Sequence, residues 1–199
     1  MQGAWHLRYE LRRCAQAAAR WHAACMALAF AAVADPTKPP DDEMVAAVDL
    51  SLEAALLHIG NLTESLAEDD RNPDHVKARD WFPGDREWSA PMPSDRTLRK
   101  LQPTISGRLA HVGWERHERP GKDWAVVTIA DHVLAVVAAF GAAVRASGRP
   151  GADELEAAVR VADDTLRPVR SAPGQGEVST TTNSTPTLSA GSCGLPPAP

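Results

Sequence analysis

Apolar residues recur through the first third of the chain in alternating steps of four and three. Leu7, Leu11, Cys14, Ala18, Trp21, Cys25, Leu28 and Ala32 form one such row. Val45, Val48, Leu52, Ala55, Ile59, Leu62 and Leu66 form a second, in opposite phase. That spacing lines one face of a helix, and two such faces bury each other. The intervening Asp35-Pro36-Thr37-Lys38-Pro39-Pro40 cannot continue a helix, because proline lacks the amide donor and clashes with the preceding turn. Asp41 or Asp42 is placed to cap the second helix. The pattern predicts a long antiparallel hairpin.

Residues 69–94 read as a loop, with Pro73, Pro83, Gly84, Pro91 and Pro93, pinned to the remainder by Val76, Trp81, Phe82 and Trp88. Ser94 is placed to cap a third helix near 94–112, with Leu98, Leu101, Ile105, Leu109 and Val112 inward and Pro103 as a kink or fresh start. After a loop at 113–122, a fourth helix is expected near 123–146, and a short amphipathic one near 152–168 follows the Ser147-Gly148-Arg149-Pro150-Gly151 stop. Residues 171–199 hold ten Ser or Thr, five Pro and four Gly, with Glu177 the single charged group, too little apolar surface to offset the entropy of ordering. The expected class is all-α. A bundle of four to five up-and-down helices, built on the hairpin, occupies residues 1–170, and a disordered tail occupies 171–199.

Composition narrows the partners. Among 199 residues the formal net charge is −5, which excludes a uniformly basic nucleic-acid coat. Cys14, Cys25 and Cys193 have neither zinc-site spacing nor, for the first two, a separation a disulfide can bridge within one helix, so no metal and no cofactor is expected. Residues 23–34 make the longest early apolar run, about twelve residues where a bilayer needs about 20. Residues 125–144 are long enough, but Asp131 and His132 interrupt them. The expectation is therefore no membrane anchor and a cytoplasmic location.

Charge is unevenly spread. Residues 41–70 carry nine acids and no Lys or Arg, whereas 96–122 carry seven basic residues against Glu115 and Glu118. These surfaces either neutralise each other, or the third helix and its loop present Arg99, Lys100, Arg108, Trp114 and Arg116 to a nucleic acid, the indole stacking on bases. His58 and Asn61 share one face of the second helix, and Arg108 and His111 lie three apart on the third. Meeting at one seam, they would supply a base, an acid and a phosphate clamp for RNA cleavage; the alternative is a structural hydrogen-bond network. A metal reading of His58, His111 and His117 with Glu115 or Asp131 lacks the usual ligand spacing.

From His58 to Trp124 the chain resembles a widespread bacterial family of small helical proteins of unassigned function. The matching elements are His58-Ile59-Gly60-Asn61-Leu62, Ala78-Arg79-Asp80-Trp81-Phe82, Ala110-His111-Val112-Gly113-Trp114-Glu115-Arg116 and Trp124. Gly60 stands where that family pattern has Arg, which removes a phosphate contact or an ion pair. More distantly the layout is similar to HEPN-type bundles, many of them ribonucleases marked by an Arg and a His a little over one helical turn apart. Arg71 to His75 is one residue short and contains Pro73, and Arg108 to His111 is too close. The resemblance implies a HEPN-like domain acting through a homodimer or a protein partner without a recognisable catalytic set. The alternative it leaves is an RNA-binding or RNA-cleaving domain using Arg108, His111 and Arg116.

Overall fold

A computed structural model describes residues 2–66, 78–82, 88, 94–110 and 124–171. Five α-helices account for nearly all of them: α1 (Gln2–Ala34), α2 (Asp42–Leu66), α3 (Ser94–Ala110), α4 (Val126–Ala146) and α5 (Ala152–Arg170), with a 3-10 turn at Ala78–Trp81 between α2 and α3. No strand occurs among the described residues, so the all-α class holds. The fourth helix starts a few residues later than its pattern suggests, and the last runs on through Pro168 to Arg170. Pro103 likewise lies inside α3. The stretch 171–199 falls outside the described residues beyond Ser171.

The hairpin forms as its heptads require. Leu7, Leu11, Cys14, Ala18, Trp21, Cys25 and Leu28 of α1 are buried, as are Val48, Leu52, Ala55, Ile59, Leu62 and Leu66 of α2. At the turn, Asp35 Oδ1 accepts from the Thr37 amide (3.1 Å) and hydroxyl (2.7 Å). Of the two capping candidates, Asp41 does the work: its Oδ1 accepts the Glu43 amide at 2.9 Å. Cys14 and Cys25 are buried in the core and neither is in a disulfide.

The remaining helices pack on one side of the hairpin. Phe140 of α4 is fully buried and meets three aromatic edges, Trp81 at 5.5 Å, Phe82 at 5.9 Å and Trp88 at 5.1 Å between centroids. Trp88 also donates its indole N–H to the Leu66 carbonyl (3.1 Å), tying the connection to the end of α2. Gln102 of α3 donates to Glu64 of α2 at 3.0 Å. At the other edge, Arg145 of α4 pairs with Asp153 and Glu156 of α5, and Arg170 of α5 with Asp131 of α4.

Gly151 sets where α5 begins. Its φ of +100° is left-handed, and a Cβ there would stand 3.1 Å from the Ala4 Cβ and 3.4 Å from Trp81. The start of α5 is thereby fixed against the start of α1. Arg8 and Arg12 then lie beside Asp153, Glu154, Ala157 and Val161, so the two helices run in the same direction. With 19 residues α5 extends about 28 Å, whereas the 33 residues of α1 extend about 50 Å. Both α4 and α5 therefore stop short of the hairpin's far end. Residues 29–34 of α1 are all exposed, as are 42–44, 46, 47, 49 and 50 of α2.

One expectation is overturned. Three helices are long and apolar enough to cross a membrane: Ala4–Ala34 with 31 residues, Asp42–Leu66 with 25 and Val126–Ala146 with 21. Neither the absence of a membrane anchor nor a cytoplasmic location therefore stands. Counting uninterrupted apolar runs undervalues such segments, because a helix is carried by its mean composition, and a lone Arg20 or Asp131 does not cancel about 20 apolar neighbours.

Gly151→Ala is expected to destabilise the fold by about 1–2 kcal/mol, combining left-handed strain with a tight contact on Ala4. Gly141→Ala, whose new Cβ would sit at an ordinary 3.5 Å from Leu155, is expected to be neutral or stabilising. Urea midpoints of the two variants check the contrast.

Candidate functional site

Glu10 lies on α1 between Leu7 and Leu11 of the buried stripe, and its position carries a carboxylate into the α1–α2 interface. Its side chain is 6% exposed. A buried charge needs partners, and α2 supplies two from one face. His58 Nδ1 lies 2.7 Å from Glu10 Oε2, and Asn61 Nδ2 donates to the same oxygen at 3.2 Å. The partners are 48 and 51 residues away in the chain, so the cluster locks one helix against the other.

An aromatic stack borders this pair. The Tyr9 ring stands edge-on to His58 at 6.2 Å, Trp5 stacks on Tyr9 at 5.7 Å, and the Arg13 guanidinium sits 5.3 Å above the Tyr9 ring. Trp5 and Tyr9 are both exposed.

Electrostatics follow from these contacts. Burial works to raise the Glu10 pKa. The hydrogen bonds from His58 and Asn61, with the nearby charges of His58 and His6, outweigh it and hold the carboxyl below the usual glutamate range. Burial pushes the Cys14 thiol up to about 12, with Glu10 and Asp131 adding to the effect, so that thiol is neither a nucleophile nor a ligand at neutral pH.

The chemistry available here is limited. A carboxylate on Nδ1 orients an imidazole and leaves Nε2 outside the pair, an arrangement found in acid–base sites. Among the described residues the contacts of the pair are Asn61 and Tyr9, and neither is an activated nucleophile. Among the described residues no group of three His, Cys, Asp or Glu is placed to hold a metal ion. The cluster is a polar clamp on the hairpin.

The residues singled out in the sequence are divided by this geometry. His58 and Asn61 come together, on Glu10. Arg99 of α3 is half-buried and Lys100 exposed. The Arg108 side chain, His111, Trp114 and Arg116 lie outside the described residues. Toward α3, α2 presents Gly60, whose added Cβ would lie 3.6 Å from Ile105, and Glu64, which bonds Gln102. Gly60 is about 200° around the helix from His58 at roughly 100° per residue. So α2 uses opposite sides for α3 and for the polar cluster. Sequence reasoning missed Glu10, although an acid set one residue from a buried leucine, within an apolar stripe, is the signal that would find it.

No family model, curated protein or solved structure matches the chain.

Glu10→Gln is expected to cost about 1–3 kcal/mol at neutral pH, because the charge-assisted bonds weaken inside the interface. The wild-type carboxyl has its pKa lowered by folding from 4.5, so its contribution is complete above that value and is lost as pH falls through the folded one. The variant should therefore show a flatter acid limb. Urea denaturation at neutral pH and near about pH 4 measures both, and parallel pH profiles would refute the assignment.

Proposed function

We propose that this chain is a non-catalytic, HEPN-like helical contact module that acts through the projecting end of its α1–α2 hairpin. The observation that carries the reading is the exposure of large apolar residues where the hairpin outruns the bundle. Phe30 is 67% exposed, Val33 81% and Leu50 67%, with Met26 and Met44 each at 36%. Single exposed apolar side chains are ordinary, but Met26, Phe30 and Val33 follow one another at steps of four and three on one face of α1. The intramolecular stripe through Cys25 and Leu28 already satisfies α2, so this second row is free to serve a contact.

Two further points support a module without nuclease chemistry. His58 is engaged with Glu10, and the chain lacks the Arg-to-His spacing of the HEPN-type ribonucleases. The distant likeness to those bundles enters at the level of architecture.

Benzoylphenylalanine in place of Phe30 is expected to give photo-adducts, while the same group in place of exposed Asp164 on α5 gives none. Incubated with single-stranded RNA, wild type and His111→Ala should leave it equally intact. Absence of adducts at position 30 would remove the contact reading, and RNA degradation that disappears in His111→Ala would restore the catalytic one.

A further inference from the structure

We infer that the occupant of the projecting face is a second copy of this chain, packed antiparallel along α1 so that the acidic end of each hairpin faces the arginines of the other. The inference rests on the contact-module reading and names its partner.

The first support is the distribution of charge along the hairpin. Its free end carries Asp35, Asp41, Asp42 and Glu43 against Lys38, all exposed. Toward the bundle, α1 exposes Arg8, Arg12, Arg13 and Arg20, with no acid exposed on that stretch of the helix. Between the two lies an uncharged segment from residue 21 to residue 34. A rod that is acidic at one end, apolar in the middle and basic at the other complements itself when reversed. A two-fold axis provides that reversal, and closed two-fold pairs are the commonest oligomers. A parallel arrangement would set acid against acid.

The second support is the shape of the middle segment. On the side of α1 away from α2, Ala23, Met26, Ala27 and Phe30 alternate small and large side chains, and all are exposed. Alanines let two helix backbones approach, and the larger neighbours fill the gaps between them. With the axis near Ala27, residue 34 of one copy stands level with residue 20 of the other. Asp35, Asp41 and Asp42 then lie within about two helical turns of the second copy's Arg20.

A bilayer is the rival occupant, since α1 and α2 are long and apolar enough to cross one. The charges favour a protein surface. Exposed Asp49 and half-exposed Glu53 sit midway along α2, and the hairpin end holds four further carboxylates. Each carboxylate taken into hydrocarbon loses its hydration without a partner, and an anionic leaflet repels the rest. A second copy instead brings its Arg20 to the carboxylates of the hairpin end.

Light scattering coupled to gel filtration of the full chain tests this. The wild type is expected at twice the chain mass, and Phe30→Glu at the single-chain mass with unchanged circular dichroism. Arg20→Glu should weaken the pair about tenfold, and Asp42→Arg added to it should recover most of the loss, a rescue that a nonspecific apolar contact would not give. A wild type monomeric at every concentration, or a dimer indifferent to Phe30→Glu, overturns the inference. So does a monomer that floats with phosphatidylcholine–phosphatidylglycerol vesicles and is released by Phe30→Glu, but that result leaves the contact-module reading standing. Loss of every Phe30-dependent association would take both down.

Discussion

The hairpin is longer than the elements that pack on it, and the molecule is organised around that mismatch. Gly151 anchors α5 at the first turn of α1, and the Arg170–Asp131 pair closes the other end of α5 onto α4. Between these two fixings the bundle builds a full core around Phe140. Beyond them, among the described residues, no third helix packs on α1 and α2. A two-helix segment buries one stripe per helix and leaves the remaining faces to solvent or to another molecule. The exposed Phe30 and Val33 are a direct result of arithmetic on helix lengths.

Within the hairpin, the Glu10–His58–Asn61 cluster sets the relation of the two helices. Apolar stripes of this kind can accommodate a shift of one heptad by repacking, because no group in them must find a specific partner. A buried carboxylate does not, because it must find its two donors or remain unpaired in the interface. The cluster thus acts as a register pin. The same groups in a pocket, with a nucleophile at Nε2, would read as chemistry. Enclosed between α1 and α2 and bordered by the Trp5–Tyr9–Arg13 stack, with Asn61 and Tyr9 as the described neighbours, they read as architecture.

Apolar content has two consequences here that are easily confused. The row through Val133, Val137, Phe140 and Val144 makes α4 the most enclosed helix, and a helix apolar on every side suits either a protein core or a bilayer. Composition alone does not separate these, which is why inspection of uninterrupted runs led to an expectation that the helices themselves overturn.

The helices and the α1–α2 pairing were legible in the order of residues. Heptad spacing places most of the α1–α2 seam, although Ala32 is exposed, Val45 is half-buried, and Glu10, Ala15 and Leu56 are buried outside the rows; prolines and glycines mark the turns between elements. Such periodicities are local, and a residue's face follows from its number. The sequence also put His58 and Asn61 on one face of α2, for the same reason. What that face meets emerged in the folded chain. It turned toward Glu10 of α1, while α3 took the opposite side at Gly60, because packing directions around a helix depend on which neighbour fills which groove. The projecting end of the hairpin was equally hidden. Residue counts give each helix its length, but where α5 starts along α1 depends on one left-handed glycine lodged against Ala4, a contact between residues far apart in the chain.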